Sequence, residues 1–473
     1  MRFRKYPARI ALGLMIIMLT SVCWYLFRAI PIGTGYAAKY LCSGVFVAKR
    51  APGVVFENDI KPVNVLARII RARVDETHKT ATATALGIFK SSAIYRKGCG
   101  CTLVVGTDVD TIRRQHIPDL TKNPIVEDIP WPFGDEGPVT PLPEGVDGEG
   151  IETALDRAFA EPAEGNLRQT RAVVVAWNGQ LIAERYAPGF DRHTRLPGWS
   201  MTKSIVNAVA GILVHQKRLD LQQPAPVTEW QSSDDPRKTI TIDHLLRMSS
   251  GLVFDETYGP LHDVTEMLYG SFNMAAYAAR KKSNTMPDRI WNYSSGTANI
   301  MARIIREAAG GSIEKGLLFI HEELFQKIGM HSAIIELDAS GTPVGSSYAH
   351  AAARDWARFG QLFLNDGHWQ GQRILPEGWV DYSTTPTPRA PRGKYGAHFW
   401  LNGGSSTDKN NRPVPALPGD AFWANGFQGQ RVMIIPSKRL VVVRLGLTSE
   451  PHETGTDKLV ADIVAALPDI DFN

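Results

Sequence analysis

The sequence predicts an α+β domain in which helices flank an antiparallel sheet assembled from both ends of the domain. The first observation is a pair of β-hairpin signals, around Asn178 and around Ser437, with an inserted and mostly helical region between them. The second is an apolar run over residues 10–27, which predicts a membrane anchor ahead of the domain. We therefore expect three parts: an N-terminal transmembrane anchor (1–30), a membrane-proximal region with a linker (31–145) and a main domain (146–473).

The N-terminal run has the length and the flanking charges of a membrane-spanning helix. It holds 18 uncharged residues, close to the ~20 that span a bilayer, and it follows Arg2, Arg4, Lys5 and Arg9. No A-x-A cleavage site comes directly after it, which favours a retained anchor over a removed signal peptide; a buried core helix is the alternative. The basic N-terminus predicts a bacterial inner-membrane protein with its main domain in the periplasm, although Arg28 weakens that orientation.

Composition and cysteines limit the classes of partner. The chain is 44% hydrophobic and 21% charged with a net charge of +4, a globular mixture without a basic stripe for nucleic acid. Cys23 lies in the apolar run, and Cys42 is expected to pair with Cys99 or Cys101 in an oxidising compartment, which leaves one cysteine unpaired. A Cys-x-Cys metal site is the alternative, but no His cluster completes a zinc pattern. Neither a metal nor another cofactor is expected.

Turn signals and periodicity define the elements of the main domain. Pro and Gly are dense over residues 118–150, which places a boundary near residue 145. Residues 31–118 carry no pattern that indicates a function. Asn178-Gly179 is a strong hairpin turn. The predicted strands are 172–177, 180–186, 431–435 and 440–445, and the predicted helices include 151–159, 205–215, 297–309, 351–364 and about 457–466.

The pattern Ser-x-x-Lys occurs three times, and its context differs each time. Ser406 begins one copy in a polar loop, and Ser312 begins another at a position where it is expected to cap a helix. Ser200 and Lys203 open a segment that is apolar on nearly every side, which predicts a buried helix. The copy at residues 200–203 is therefore the candidate for chemistry.

A serine and a lysine three residues apart lie on one face of a helical turn. Burial of Lys203 disfavours its charged form, and the neutral amine is then able to take the proton of Ser200, a poor nucleophile without a base. The helix N-terminus adds N–H groups where an oxyanion forms. The alternative is that Ser200 caps the helix while Lys203 reaches water.

Two later segments add candidates to this pair. Tyr293 precedes an apolar helix and is a candidate phenoxide or proton relay to the leaving group, with a packing role as the alternative. Residues 422–430 are rich in glycine and lead into a predicted strand. Small residues there would let the strand backbone approach a substrate closely, and a bulged edge strand is the alternative.

The order of these segments carries a family resemblance. Ser-Met-Thr-Lys at 200–203, Tyr-Ser-Ser at 293–295 and the glycine-rich strand at 422–430 resemble the three motifs of serine β-lactamases and penicillin-binding proteins. The chain is similar in particular to class C-related esterases and 6-aminohexanoate-dimer hydrolases. The resemblance covers roughly residues 150–470, with further matching stretches at 245–252 and 353–360.

The resemblance implies a three-layer, transpeptidase-like domain and an acyl-enzyme on Ser200. It implies that Lys203 and Tyr293 share the role of base. It also implies an oxyanion hole made by the N–H of Ser200 and by a second N–H near Phe427.

Departures from the family pattern point to a particular class of substrate. Ser295 stands where the second motif usually ends in Asn, and Ala424-Asn425-Gly426 replaces the Lys-Thr-Gly of true β-lactamases. Without that lysine the site lacks the cation that binds a carboxylate, so we expect poor penicillin hydrolysis and a small ester or amide substrate. Ser295, Asn425, Gly426, Phe427 and Trp423 are the candidate oxyanion or substrate-binding residues. An apolar wall is expected from four aromatic residues, for which a place in the core is the alternative: Trp423, Trp400, Phe427 and Tyr258.

Two other functions stay open at this point. A penicillin-binding cell-wall peptidase would use the same catalytic residues, and a membrane-tethered binding protein on this scaffold would use none. The sequence contains neither a G-x-S-x-G elbow nor an H-E-x-x-H motif, which disfavours an α/β-hydrolase and a zincin.

Overall fold

The computed structural model of the chain describes residues 6–120, 127–165, 167–403, 408–448 and 454–469, and Ser406 lies outside them. The α-helices are α1 (Tyr6–Cys42), α2 (Pro52–Val55), α3 (Val109–Arg114), α4 (Gly148–Phe159), α5 (Thr202–His215), α6 (Ile242–Leu246), α7 (Asp263–Gly270), α8 (Met274–Ala279), α9 (Ser295–Ala308), α10 (Ile313–Ile320), α11 (Ala353–Leu364), α12 (Trp379–Thr384) and α13 (Thr456–Ala465). The β-strands are β1 (Ile70–Asp75), β2 (Thr80–Ala85), β3 (Phe89–Arg96), β4 (Gly100–Leu103), β5 (Thr170–Trp177), β6 (Gln180–Tyr186), β7 (Leu196–Pro197), β8 (Ile334–Ile335), β9 (Ala349–Ala351), β10 (His368–Trp369), β11 (Gln372–Arg373), β12 (Trp400–Leu401), β13 (Phe422–Gly426), β14 (Gln430–Ile435) and β15 (Leu440–Gly446).

A six-stranded antiparallel sheet in the order β12-β13-β14-β15-β5-β6 forms the centre of the fold. Both predicted hairpins are confirmed, since β5 pairs with β6 and β14 pairs with β15. The two hairpins join each other through β15 and β5, with Val442 opposite Val175. The two ends of the domain therefore meet in one sheet, as the predicted α+β class requires.

Helices cover both faces of this sheet. One face packs on α4 and α13, where Val173 and Val442 meet Leu155 and Ile463. The other face packs on α11 and the region around α5, which is buried from Thr202 to Leu213. Strand β5 is buried at every position, which explains why its sequence lacks polar alternation. The predicted helices are confirmed within about three residues as α4, α5, α9, α11 and α13.

Helix α1 continues from the apolar run into the protein interior. It is the one helix in the described ranges that is long and apolar enough to span a bilayer. Its side chains are exposed from Leu14 to Arg28, with Phe27 66% exposed, whereas Ala29 and Ile30 are buried. The antiparallel sheet β1-β2-β3-β4 packs against this helix. Residues on both sides of the predicted boundary near 145 share one core, and the domain division stays a prediction.

A disulfide ties the C-terminal end of α1 to strand β4. Cys42 pairs with Cys101, which confirms one of the two predicted pairings. Cys99 is free and buried, and Cys23 is free and exposed. The pairing fits an oxidising compartment.

A buried ion pair ties the same helix end to the main domain. Lys39 pairs with Glu336, and both side chains are almost fully buried. Glu336 also accepts hydrogen bonds from Ser43 Oγ at 2.9 Å and from the backbone N–H of Cys101 at 2.7 Å. Directly after Lys39 in α1, Tyr40 stacks its ring on that of Trp199 with centroids 5.0 Å apart. The last turns of α1 are thus part of the core that surrounds residue 200.

Candidate active site

Ser200 lies in a 3₁₀ turn, Trp199–Met201, that leads directly into α5. Trp199 has a φ of 49°, a left-handed conformation that is costly for a bulky residue. Complete burial holds it there, together with a hydrogen bond from its Nε1 to Gln428 Oε1 at 3.2 Å. The N-cap of α5 is Met201. The hydroxyl of Ser200 is therefore not used to cap the helix, and it faces Lys203.

Lys203 is buried, with 1% of its surface exposed. Its Nζ donates hydrogen bonds to Ser200 Oγ at 2.9 Å, to Ser295 Oγ at 3.0 Å and to the backbone carbonyl of Ser346 at 3.1 Å. These three acceptors match the three N–H groups of an ammonium ion. Burial lowers the pKa of Lys203 to about 8, and the nearby Glu256 carboxylate opposes that shift. The geometry and the lowered pKa are those of an amine able to accept a proton from Ser200.

Tyr293 lies next to the Lys203 ammonium: the centre of the Tyr293 ring is 4.8 Å from Lys203 Nζ. Burial raises the pKa of Tyr293 above its ordinary value, the Glu256 carboxylate adds to the shift, and the Ser200 hydroxyl opposes it. The neutral phenol is therefore the form present at physiological pH. A neutral phenol is compatible with a proton relay, whereas the alternative role of a phenoxide base requires the deprotonated form.

Glu256 is a component of the site that no sequence pattern indicates. Its carboxylate accepts hydrogen bonds from the backbone N–H of Ser295, at 2.7 Å, and from the Ser295 hydroxyl. Burial raises the pKa of Glu256, whereas Lys203 and the two bonds from Ser295 oppose that rise. Glu256 lies in a loop without a catalytic pattern, and only the proximity of Ser295 reveals it.

The glycine-rich segment reaches the nucleophile through its backbone. A Cβ on Gly426 would lie 2.2 Å from the carbonyl oxygen of Gly198, two residues before Ser200. Only glycine permits this approach of β13 to the turn that carries Ser200. The sequence predicts that the small residues admit a substrate; in the structure, Gly426 makes room for the chain's own backbone. Phe427 begins the 3₁₀ turn that follows, with its ring 5.1 Å from that of Trp199.

Two of the candidate binding residues point away from this centre. Trp423 is buried among the residues that pack on α4 and α13, across the sheet from the cluster that contains Trp199 and Met201. Asn425, two residues further along β13, accepts a hydrogen bond from Arg431 Nε at 3.2 Å. Side chains alternate between the faces of a strand, so both leave the face on which Ser200 lies. Trp423 is a core aromatic, one of the two alternatives considered for it.

Two clusters of aromatic rings lie near Ser200 and Lys203, one around Trp199 and one around Tyr293. Tyr258 stacks on Phe427 with centroids 4.7 Å apart. On the other side Tyr293 packs against Trp400 and Tyr395, with centroids at 5.4 and 5.7 Å. Phe427 and Tyr258 thus lie in one aromatic cluster with Trp199, and Trp400 lies in another with Tyr293; their role as an apolar wall for a substrate stays a prediction.

The family model for β-lactamases matches residues 155–466 of the chain, which is more than half of it. The 6-aminohexanoate-dimer hydrolase of Paenarthrobacter ureafaciens is 23% identical over 316 residues, which cover 60% of this chain and 74% of that protein.

Solved structures show the same fold. A Bacillus anthracis protein, provisionally assigned as a 6-aminohexanoate-dimer hydrolase, superposes with a TM-score of 0.57 at 23% identity over 75% of this chain and 92% of its own. A penicillin-binding protein homologue from Caulobacter crescentus has a TM-score of 0.53 at 15% identity over 69% of this chain and 98% of its own. The match to the family model and this shared fold agree with the order of the three motifs, and the chain belongs to the β-lactamase family.

Proposed function

We propose that this protein is a membrane-anchored serine hydrolase that forms an acyl-enzyme on Ser200 and cleaves carboxylic esters or short amides. The observation that carries the proposal is the 2.9 Å contact between the buried Nζ of Lys203 and the Oγ of Ser200. A serine hydroxyl becomes an effective nucleophile when such a base takes its proton.

The first half of the reaction transfers the acyl group to the enzyme. Neutral Lys203 takes the proton of Ser200 as its Oγ bonds to the carbonyl carbon of the substrate. The N–H of Ser200 and a second N–H near Phe427 stabilise the oxyanion. The bond to the leaving group then breaks, and Tyr293 passes a proton from Lys203 to the departing oxygen or nitrogen. Water subsequently attacks the acyl-enzyme by the same route and restores Ser200.

The third motif supports an ester or a short amide over a β-lactam. Ala424 replaces the lysine of true β-lactamases, and its side chain is buried in the core. A penicillin carboxylate therefore lacks the charge-assisted partner that this position supplies in β-lactamases. The Paenarthrobacter relative is named for an amide dimer, and a family VIII carboxylesterase is among the structures with this fold; both names fit the proposed substrates.

Two properties of helix α1, its exposed apolar residues and its continuation into the core, support the proposal that the anchor is retained. Its exposed apolar residues, such as Ile17 and Met18, cover the length that a bilayer core requires. The Arg28 guanidinium is 2.6 Å from Glu266 of α7, and the helix then continues into the core as far as the disulfide at Cys42. We propose that the main domain lies on the extracytoplasmic side. Intact-mass analysis of the membrane fraction tests whether the anchor is retained, because removal of a signal peptide would shorten the chain.

A serine-directed fluorophosphonate tests the nucleophile. The wild type is expected to be labelled at Ser200 and Ser200→Ala to be unlabelled. The matched control is Ser312→Ala, which removes the serine of another Ser-x-x-Lys pattern, one that caps α10, and labelling should persist. Labelling of Ser200→Ala would contradict the assignment. Rapid capture of fluorescent penicillin would favour the penicillin-binding alternative, and absence of turnover across esters and amides would favour the binding-protein alternative.

A further inference from the structure

A cavity of about 520 Å³ lies between helix α1 and the main domain, within the ~300–1,000 Å³ typical of small-molecule sites. Helix α1 lines it over two turns, from Ala29 to Tyr36, and Val63 and Leu66 close one side. None of the described residues that line it carries a charged side chain. The cavity is therefore suited to an apolar group.

The inner end of this cavity adjoins the candidate active site. Tyr258 and Phe427 line it, and they are the stacked pair beside the nucleophile turn. The ring of Phe427 is 5.1 Å from that of Trp199, the residue before Ser200. A group that fills the cavity is thus separated from Ser200 by one layer of aromatic side chains.

The outer end of the cavity adjoins the apolar run of α1. Ala29 lines the cavity, and Phe27, two residues before it, is 66% exposed. The ring of Phe27 contacts Phe89 at 5.5 Å, beside the β2–β3 turn, where Leu86 and Ile88 are 63% and 75% exposed. Exposed apolar residues at the end of a spanning helix belong at a bilayer surface. With α1 as the proposed anchor, the end of the cavity at Ala29 would therefore lie at the bilayer surface.

The face of the small sheet near this end is basic. Arg68, Arg71 and Lys90 are exposed and line one groove on β1–β3, while the carboxylates of that groove, Asp75 and Glu76, lie at its far end. Basic side chains at a bilayer surface attract anionic headgroups.

From this arrangement we infer that the substrate is an ester of a membrane glycerolipid, whose acyl chain lies in the cavity and whose carbonyl reaches Ser200 when the Tyr258 and Phe427 rings move apart. In glycerolipids the hydrocarbon chain is the acyl part, so the chain in the cavity becomes the acyl group on Ser200. The ester C–O bond breaks, the glycerol oxygen takes the proton, and water releases the fatty acid. This inference rests on the proposed function, since it requires acyl transfer to Ser200.

The test uses the full chain in nanodiscs and p-nitrophenyl esters from acetate to decanoate. We expect kcat/KM to rise by up to ~4-fold for each methylene that the cavity buries. Val63→Trp fills the cavity and should abolish that rise while acetate hydrolysis stays near the wild-type rate. The matched control is Val54→Trp at an exposed position outside the cavity, which should keep the rise.

The second measurement is fatty-acid release from nanodiscs that contain phosphatidylglycerol and diacylglycerol. Release is expected from the wild type and from Val54→Trp, and it should be lost in Ser200→Ala and Val63→Trp. Equal rates for decanoate and acetate, an identical profile in the two tryptophan variants, or intact lipids after long incubation would overturn the inference and leave the proposed function standing. Absence of any hydrolysis that depends on Ser200 would overturn both.

Discussion

The carboxylate of Glu256 holds Ser295 by both its backbone N–H and its hydroxyl. The Ser295 hydroxyl in turn accepts a hydrogen bond from Lys203, so that Glu256 reaches the candidate base through one intervening side chain. Ser295 takes the place of the Asn that is usual in the family's second motif. The structure thus assigns this serine an acidic partner.

Glu256→Gln is expected to move the pH profile of ester hydrolysis. The negative carboxylate favours the ammonium form and raises the pKa of Lys203. Its removal lowers that pKa, so the midpoint of kcat/KM against pH should shift to lower pH. Asp255→Asn is the control, because Asp255 is exposed and pairs with His262. An unchanged midpoint in Glu256→Gln would show that Glu256 does not act on Lys203.

The wild-type pH profile should report Lys203 itself. Burial lowers the pKa of its ammonium to about 8, and the neutral amine is the reactive form, so kcat/KM on a short ester should rise with pH and level off above about 8. His398 donates a hydrogen bond from Nδ1 to the Lys203 backbone carbonyl, but burial lowers the pKa of its imidazolium to about 3, which removes it from this range. Lys203→Gln should lose ~10²–10⁴-fold in rate. A profile that is flat from pH 6 to 9 would contradict the role of Lys203.

Gly426→Ala should displace the nucleophile turn. The new Cβ would lie 2.2 Å from the Gly198 carbonyl oxygen, and overpacking of this kind costs about 1–3 kcal/mol. We expect a lower melting temperature and a loss of ester hydrolysis. Gly137→Ala is the control, since its Cβ would meet no atom within 4 Å. Wild-type activity in Gly426→Ala would mean that the close approach of β13 is not required.

Removal of the Cys42–Cys101 bridge should destabilise the chain and reduce activity together. The bridge spans 59 residues, and loss of a native disulfide costs about 2–5 kcal/mol. Cys101→Ser should therefore melt at a lower temperature and should no longer respond to a reducing agent. Cys23→Ser, at a free and exposed position, should behave as the wild type in both respects.

Lys39→Met alone should lower the free energy of unfolding more than the removal of both charges of the Lys39–Glu336 ion pair. The single variant leaves Glu336 buried without its cation, a situation that costs about 3–5 kcal/mol. Lys39→Met combined with Glu336→Gln should recover part of this loss. Urea unfolding of both variants provides the comparison, and equal stabilities would contradict the buried pairing.

Local patterns predicted the elements of the main domain well. The hairpin turn at Asn178, the strand residues around Val442 and the apolar segment after Ser200 each carry their signal within a few residues, and all three predictions are confirmed. The resemblance to the β-lactamase family is confirmed as well.

The features that the sequence did not predict depend on long-range contacts or on strand register. Tyr40 and Trp199 are 159 positions apart, and no pattern links them before the chain folds. Glu256 can be assigned to the site only from the folded structure, in which its carboxylate accepts a hydrogen bond from Ser295. The side of the sheet that Trp423 faces depends on the register of β13 against β14, and a shift of one residue reverses it.

Helix α1 runs without a break from the exposed apolar residues to Tyr40. In an anchored protein such a continuous rod differs from a flexible tether, whose reach grows with its length. From Ala29 to Tyr40 the helix rises ~17 Å, so in an anchored chain it would hold Ser200 at a fixed height above the lipid headgroups. Reactions at this hydroxyl would then be confined to molecules in a thin layer next to the bilayer, however concentrated the same molecules are elsewhere in the compartment.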